Sequence, residues 1–238
     1  MIEINNVTKV YNGTQKAIDN LTLKINDGEI FGFIGHNGAG KTTTIKSIVG
    51  ILNFEKGDIL INSKSIKNKP IECKKEIAYI QDNPDLYENL TGIEFINFIA
   101  DIYEISKDER NKNIKKYSEI FEMESNLGDS ISSYSHGMKQ KIAIISALVH
   151  NPKVLILDEP FVGLDPKAVF SLKEIMREMC KQNNITVFFS THILEVAEKL
   201  CDRVGIIQKG KIVKVGTVSE IKGDKTLENV FLNIQNNK

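Results

Sequence analysis

The 238-residue sequence has no surplus of charge of either sign and no long hydrophobic run. Its 31 lysines and arginines balance 31 acidic residues, so no basic field indicates nucleic acid as a partner. No apolar run approaches the ~20 residues that a bilayer-spanning helix needs. The N-terminus, Met1–Asn5, has no basic stretch followed by an apolar core, so we expect no signal peptide.

Cysteine is also scarce. The three cysteines, Cys73, Cys180 and Cys201, are odd in number and scattered along the chain. This distribution favours structural thiols in a reducing cytosol over a disulfide framework or a metal site. A chain of this length can bury a full core, so we expect an ordinary globular protein of one domain, with or without a sub-domain.

A glycine-rich motif begins at Gly35 and ends at Thr42, with the pattern G-x-x-x-x-G-K-T. The apolar run 30–34 precedes it as a buried strand and a helical stretch follows it, which is the context that a phosphate-binding loop requires. Glycines let successive backbone N–H groups point at phosphate oxygens, and the helix N-terminus adds partial positive charge. Lys41 is therefore predicted to reach the β- and γ-phosphates, and Thr42 to ligate Mg²⁺. The alternative is a strand–helix turn that binds no ligand.

Hydrophobic periodicity predicts the elements around this loop. Alternating apolar residues at 2–7 and 21–25 are typical of half-buried antiparallel strands. Continuous apolar runs at 154–157 and 185–189 are typical of parallel strands covered on both faces, and a helix over about 166–181 joins them into a βαβ unit. Further strands are expected at 57–62, 77–80, 204–207 and 212–215, the last two as a hairpin.

Residues 84–150 have helical character and separate two strands. Thr91 and Glu94 have the spacing of a capping box at a helix start. We therefore predict an α/β fold: a P-loop NTPase core with a mixed, mainly parallel sheet, an N-terminal antiparallel β subdomain and an inserted α-helical subdomain. The domain is expected to cover residues 1–222. A short C-terminal tail, 223–238, follows it, and its polar end from Asn233 is expected to fray.

Two acidic residues follow a strand of the predicted parallel sheet. Asp158 and Glu159 come directly after the run 154–157, and ligands bind beyond the carboxyl ends of parallel strands. Asp158 suits a residue that binds Mg²⁺ either directly or through one of the ion's other ligands, and Glu159 suits a general base for an attacking water. The charge of a metal ion would offset the repulsion between these adjacent acids. The alternative is a pair of acids that stabilise a helix N-terminus.

Two more polar residues are expected at the same edge of the sheet. His192 follows the run 185–189 and could hydrogen-bond the γ-phosphate. Gln81 ends the strand 77–80, where its amide could touch the metal ion or the water. Taken alone, a histidine at a helix start is usually an ordinary hydrogen-bonded residue, and a lone glutamine is a weaker indication still.

These motifs occur in a fixed order, and over about residues 1–222 the sequence resembles the ATP-binding subunit of an ABC transporter. The matching segments are Gly35–Thr43 as Walker A, Gln81 as the Q-loop, Tyr134–Met138 as the signature, Val154–Pro160 as Walker B, Gly163–Pro166 as the D-loop and Thr191-His192 as the switch histidine. Tyr11 matches the aromatic residue that stacks on adenine. The implied nucleotide-binding residues are Tyr11, Gly35, Asn37, Gly38, Ala39, Gly40, Lys41, Thr42, Thr43, Ser135, Gly137 and Asp165. The implied metal-binding residues are Thr42, Gln81 and Asp158, and the implied catalytic residues are Glu159, His192 and Gln81.

The resemblance also implies a function. It implies Mg²⁺-dependent hydrolysis of ATP between two ATP-binding subunits, identical or different, that face each other head to tail. A separate transmembrane permease would carry the substrate, and the helical region after Gln81 is the expected docking surface. No nucleic acid is implied, and the subunit is expected at the cytoplasmic face of the membrane.

The signature segment departs from the usual family pattern, Leu-Ser-Gly-Gly-Gln. Tyr134, His136 and Met138 replace the leucine, the first glycine and the glutamine, while Ser135 and Gly137 remain. Ser135 is placed to cap the helix that follows, and the N-terminus of that helix would meet the γ-phosphate of ATP held by the other subunit. This variant signature resembles that of a subclass that exports drugs, lipids and antibiotics.

Two other functions stay open. One is a soluble ABC-type ATPase that remodels a cytosolic protein assembly, and co-purification with a membrane protein would distinguish a transporter subunit from it. The other is a non-hydrolysing nucleotide-binding regulator, which Glu159 and His192 argue against and a turnover assay would settle. A guanine-nucleotide switch is disfavoured, because the chain has no Asn-Lys-x-Asp element. The insertion 84–150 is too short for the coiled coil of the superfamily's DNA-repair ATPases.

Overall fold

The computed structural model describes residues 1–236, which form two β-sheets and the helices that cover them. The strands are β1 (Ile2–Tyr11), β2 (Gln15–Ile25), β3 (Ile30–Ile34), β4 (Lys56–Ile61), β5 (Lys64–Ser65), β6 (Ile77–Ile80), β7 (Val154–Asp158), β8 (Thr186–Thr191), β9 (Arg203–Gln208) and β10 (Lys211–Thr217). The helices are α1 (Lys41–Ile48), α2 (Pro70–Glu76), α3 (Gly92–Ile102), α4 (Lys107–Phe121), α5 (His136–Leu148), α6 (Pro166–Asn183), α7 (Leu194–Leu200), α8 (Val218–Lys222) and α9 (Leu227–Asn236).

The first sheet is antiparallel, with the strand order β2-β1-β4-β5. Along β1, Ile2 and Ile4 are buried whereas Asn5 is exposed, which is the alternation that the sequence predicts. Ile4 pairs with Leu23 of β2 on one side and with Ile59 of β4 on the other. All three side chains are buried, so this sheet contributes one apolar face to the core.

The second sheet has the strand order β10-β9-β3-β8-β7-β6, and its pairs are parallel except for the β9–β10 hairpin. Every residue of β7 and β8 is buried, as predicted for strands covered on both faces. Helix α6 connects these two strands and completes the βαβ unit. Because β3, β8 and β7 are parallel neighbours, the segments that follow them begin at the same edge of the sheet.

Helices α3, α4 and α5 lie between β6 and β7 in the chain and form the inserted helical region. The capping box at the start of α3 is present: the Glu94 N–H donates to Thr91 Oγ1 at 3.3 Å, and the Thr91 N–H donates to Glu94 Oε2 at 2.8 Å. Ile96, Phe121 and Ile142 of the three helices share one buried core with the parallel sheet. The insertion is therefore packed on the sheet as part of the same body.

The C-terminal segment differs from the prediction. Residues 227–236 form helix α9, so the expected fraying from Asn233 is wrong as far as residue 236. Apolar residues at helical spacing explain the difference, because Leu227 is buried and Val230, Phe231 and Ile234 pack against the core beside it. A polar composition at the end of the chain concealed this apolar face. Residues 237–238 lie outside the described part of the chain.

All three cysteines carry free thiols. Burial raises the pKa of Cys180 to about 12, so this thiol stays protonated and unreactive at neutral pH. Within residues 1–236, no helix is both long enough and apolar enough to cross a membrane.

Candidate nucleotide-binding site

The phosphate loop, Gly35–Thr42, joins the carboxyl end of β3 to the first turn of α1. Gly40 precedes α1 with a backbone φ of 111°, in the region that favours glycine. A Cβ atom built on Gly40 would lie 2.5 Å from the carbonyl oxygen of Ala17, so no larger residue fits there. The loop therefore passes close to β2. The free N–H groups of the helix start that follows it suit a phosphate.

Lys41 is held at the mouth of this loop. Its side chain is only 6% exposed, and Nζ donates to the carbonyl oxygen of Gly35 at 2.7 Å. Nζ also lies 3.3 Å from Oε1 of Glu159, with which it forms an ion pair. The structure thus brings together the predicted phosphate-binding lysine and the predicted general base.

Asp158 ends β7 and is 1% exposed. Burial raises its pKa, while the hydrogen bond from the Ser190 hydroxyl and the nearby Thr42 hydroxyl act in the opposite direction. Its Oδ2 atom is buried and has no hydrogen-bond partner among the described residues. An unsatisfied carboxylate oxygen beside the Thr42 hydroxyl fits a Mg²⁺ ion, which takes one or two protein oxygens and completes its shell with phosphate and water. No cluster of three or more histidine, cysteine or acidic side chains occurs within residues 1–236, so the ion would depend on the nucleotide for further ligands.

Glu159 follows Asp158 in a tight turn, with a φ of 48°. Its N–H donates to Ser190 Oγ at 3.0 Å, which fixes the backbone to the adjacent strand β8. Its carboxylate is shared, because Oε1 faces Lys41 and Oε2 lies 2.9 Å from Nδ1 of His192. The predicted catalytic pair Glu159 and His192 is therefore in direct contact.

An open cavity of about 670 Å³ lies in front of the phosphate loop. It is lined by Tyr11, Gln15, Lys16, Ala17, His36, Asn37, Gly38, Gly40, Lys41, Thr42, Thr43, Asp82, Glu159, Lys209 and Gly210. Tyr11 is 39% exposed at the rim, and Nζ of Lys9 lies 5.5 Å from the centroid of its ring. Most of the residues predicted to bind one nucleotide thus face one cavity.

Other predicted residues lie elsewhere. Gln81 lines a neighbouring groove rather than this cavity. Ser135 and Gly137 are at the start of α5 and do not line the cavity either; Ser135 Oγ accepts a hydrogen bond from the Met138 N–H at 3.3 Å, as predicted for a capping residue. Asp165 caps α6 through the Ala168 N–H at 2.8 Å. A single chain therefore does not assemble all the predicted site residues.

Sequence reasoning missed several residues of this site, among them Asp82, Lys16 and Lys209 of the cavity lining and Ser190 behind it. Lys209 lies in the β9–β10 turn, which reaches the phosphate loop because the Gly210 N–H donates to the Ala39 carbonyl oxygen at 2.9 Å. This contact joins distant segments, so no local pattern reveals it. Ser190 is the last residue but one of the parallel strand β8, and attention to polar residues at strand ends, which pointed to Gln81, could have found it.

Residues 18–162 match the protein family described as ABC transporter. The chain belongs to the ABC transporter family. This ATP-binding subunit is 39% identical to the bacitracin transport ATP-binding protein BcrA of Bacillus licheniformis over 215 residues, which cover 90% of this chain and 69% of that protein. It therefore binds ATP and Mg²⁺ and hydrolyses ATP, as the ATP-binding domains of this family do.

Solved structures show the same architecture. A structure described as an ATP-binding subunit of an ABC transporter superposes with a TM-score of 0.94 at 33% identity, and the match covers 99% of each chain. A dimeric post-hydrolysis state of the ATP-binding cassette MJ0796, bound to ADP and Pi, superposes with a TM-score of 0.84. It is 23% identical and covers 92% of this chain and 99% of that one, so the likeness concerns the fold. The predicted α/β fold with its P-loop NTPase core is confirmed.

Proposed function

We propose that this subunit hydrolyses ATP to power a separate membrane permease, and that the assembled transporter exports its substrate. The relative BcrA is named for bacitracin transport. The signature Tyr134–Met138 resembles that of an exporting subclass. In this proposal the subunit lies at the cytoplasmic face of the membrane, bound to the permease.

The observation that carries this proposal is an apolar groove beside Gln81. The groove has a volume of about 330 Å³ and lies between β6, the loop after it, α3 and α5. Gln81 lines the groove, and the next residue, Asp82, lines the nucleotide cavity. A permease segment bound in the groove would therefore touch a residue that is adjacent to the ATP site.

Exposed aromatic side chains extend this apolar surface. The ring centroid of Tyr87 lies 6.2 Å from that of Phe95, which lines the groove, and 5.7 Å from that of Phe98. Tyr87 is 60% exposed, Phe98 is 42% exposed, and Ile102, one helical turn further along α3, is 55% exposed. Contiguous exposed apolar side chains mark protein–protein contacts, and an amphipathic segment of a permease suits such a groove.

Co-purification tests this assignment. The subunit is expressed with the membrane protein encoded beside it, and the complex is isolated from detergent extracts. Tyr87→Asp and Phe98→Asp are expected to abolish co-purification while ATP hydrolysis by the isolated subunit continues, because neither side chain lines the nucleotide cavity. Val213→Asp is the matched control, since Val213 is 46% exposed on β10 at the opposite edge of the sheet from β6. Stable association with a cytosolic assembly and with no membrane protein would contradict the proposal.

We further propose that ATP is enclosed by two ATP-binding subunits arranged head to tail. Ser135 and Gly137, at the start of α5, do not line the nucleotide cavity of their own chain. A helix N-terminus attracts anions, and no phosphate loop precedes the start of α5. In the dimer it meets the γ-phosphate held by the partner, and Asp165 lies at the same interface.

Within each site, the side chains divide the chemistry. The loop N–H groups and Lys41 would hold the phosphates, and Thr42 and Asp158 would hold Mg²⁺, which would offset phosphate charge. Glu159 accepts a proton from the attacking water, and His192 holds the second carboxylate oxygen of Glu159. Catalysis then consists mostly of positioning and charge stabilisation. Loss of the shared γ-phosphate opens the dimer.

A further inference from the structure

The first residue of α5, His136, occupies the position where the usual signature has a glycine. Its side chain is exposed and lies against Gly163, in the segment that follows Glu159. A Cβ atom built on Gly163 would lie 2.5 Å from Cδ2 and 2.6 Å from Nε2 of His136. Gly163 has a φ of +80°, so a residue with a side chain is disfavoured there by the backbone as well. The imidazole ring therefore occupies the space that a side chain at position 163 would fill.

Two further contacts join the start of α5 to the segment 159–165. A Cβ atom built on Gly137 would lie 3.1 Å from the carbonyl oxygen of Gly163, so the two backbones are close. One turn further along α5, Nζ of Lys141 lies 2.8 Å from Oδ2 of Asp165, and this ion pair lowers the pKa of Asp165. The segment is thus attached to α5 near both Gly163 and Asp165.

The same segment begins at the general base. The Val162 N–H donates to the carbonyl oxygen of Glu159 at 3.2 Å and closes a tight turn directly before Gly163. The start of this turn is fixed by the hydrogen bond from the Glu159 N–H to Ser190. Gly163 directly follows this turn, so the position of Gly163 fixes the end of the turn. The packing of His136 on Gly163 therefore influences the direction of the Glu159 carboxylate.

We propose that His136 is a positioning residue for hydrolysis: its ring holds the segment 159–165 so that Glu159 is aligned in the ATP site of its own chain. Its neighbours Ser135 and Gly137 face the ATP of the partner, a point that rests on the proposed dimer. His136 therefore connects the two ATP sites of the dimer through one side-chain contact. Ser135 already caps α5, so the helix does not need His136 for its start.

A double-mutant cycle on ATP turnover tests this role. His136→Gly removes the ring, and Gly163→Ala places a methyl group where the ring lies. Each change is expected to lower kcat roughly 10- to 100-fold, the order of loss that a displacement of about 1 Å causes at an active site. The KM for ATP is expected to stay near the wild-type value, because the phosphate loop is untouched. His136→Phe keeps a planar ring and is expected to retain turnover.

The double-mutant cycle distinguishes the loss of the contact between His136 and position 163 from the backbone strain that alanine causes at position 163. The backbone strain of alanine at position 163 is present in both backgrounds, so a direct contact predicts that Gly163→Ala costs much less in the His136→Gly background than in wild type. Additive losses, or wild-type kcat in His136→Gly, would overturn the proposal. Thermal unfolding of each variant shows whether it is folded, and His136→Gly is expected to unfold close to the wild-type temperature because the side chain is exposed.

One more measurement distinguishes positioning from a direct ATP contact. In a Glu159→Gln background, His136→Gly is expected to retain ATP-dependent dimerisation, because Ser135 and Gly137 are unchanged. If the dimer is lost or KM rises instead, His136 binds ATP in the partner site and the positioning role is wrong. If Glu159→Gln alone does not dimerise, the proposed dimer fails, whereas the turnover cycle still decides the role of His136 within one chain.

Discussion

Nζ of Lys41 lies 3.3 Å from Oε1 of Glu159, so the lysine of the phosphate loop and the proposed general base form an ion pair. The two side chains are 6% and 15% exposed, and the pair is thus shielded from solvent. Phosphate oxygens compete for the same ammonium group. ATP binding is therefore expected to draw Lys41 towards the phosphates and leave the Glu159 carboxylate free for water.

Lys41→Ala is expected to abolish ATP turnover, since no other side chain of the loop supplies a positive charge to the β- and γ-phosphates. Turnover is measured by phosphate release under saturating Mg²⁺ and ATP. Lys46→Ala, on the same helix but not lining the cavity, is the control and should turn over ATP like wild type. Wild-type turnover in Lys41→Ala would show that Gly35–Thr42 is not the phosphate-binding loop.

Tyr11→Ala is expected to weaken ATP binding by about 1–3 kcal/mol, the value of base–aromatic stacking in single-stranded nucleic acids. Titration with a fluorescent ATP analogue measures the change. Tyr11→Phe keeps the ring and should bind like wild type, and inorganic triphosphate should bind equally to all three proteins because it has no base. Equal ATP affinity in Tyr11→Ala would leave Tyr11 with only a packing role.

Ser135→Arg is expected to leave ATP binding to the monomer intact and to prevent ATP-dependent dimerisation, because the bulky side chain blocks the start of α5. Equilibrium binding and size-exclusion chromatography give the two readouts. Ser125→Arg, at an exposed position of the same helical region, serves as the control. Loss of binding to the monomer would place the signature beside the nucleotide of its own chain.

Asp158→Asn is expected to raise Tm at pH 7 and to weaken Mg²⁺-dependent turnover. Burial raises the pKa of Asp158 above its ordinary value of 3.8. A raised pKa contributes stability below the unfolded-state value, and this contribution is lost as pH rises through the folded-state value, so the ionised group destabilises the protein at pH 7. Each kcal/mol relieved raises Tm by roughly 2–4 °C in a chain of this size.

Asp165→Asn is the matched control with the opposite sign. The hydrogen bond from Lys141 is the main cause of the lowered pKa of Asp165, so its contribution to stability is present above the unfolded-state pKa and is lost as the pH falls. Asparagine caps a helix as well as aspartate does, so the capping interaction is retained. A small decrease in Tm at pH 7, absent at low pH, is expected. A decrease in Tm for Asp158→Asn at pH 7 would contradict the argument for Asp158, and an unchanged Tm for Asp165→Asn at pH 7 would contradict the argument for Asp165.

The sequence predicted the features that local patterns encode. The phosphate loop, the buried strands β7 and β8 and the cap at Thr91 each depend on residues close together in the chain, and all three are found. The sequence also predicted that Lys41 and Glu159 lie at the same edge of the sheet, because the carboxyl ends of parallel strands lie on the same side.

The sequence did not predict features that depend on distant contacts. Lys209 reaches the cavity only because the β9–β10 turn is hydrogen-bonded to Ala39. The contact between His136 and Gly163 likewise joins two segments that are separated along the sequence. Helix α9 was missed because its apolar residues, including Phe231, are separated by polar residues in the sequence. They form one apolar face only when the helix packs on the core.

Glu159→Gln tests the central claim. The claim is that ATP joins two subunits, and that Glu159 is the general base for the hydrolysis that separates them. The amide is nearly isosteric but cannot accept a proton from water at neutral pH, and loss of a general base typically costs ~10²–10⁴ in rate. ATP would then stay intact between the two chains.

The most direct measurement is size-exclusion chromatography of Glu159→Gln with Mg-ATP and, separately, with ADP. We expect a dimer with Mg-ATP and a monomer with ADP, because ADP lacks the γ-phosphate that both chains share, and wild type should show little dimer because turnover empties the site. A variant that loses turnover yet remains monomeric with Mg-ATP would contradict the account, as would a variant that hydrolyses ATP at the wild-type rate.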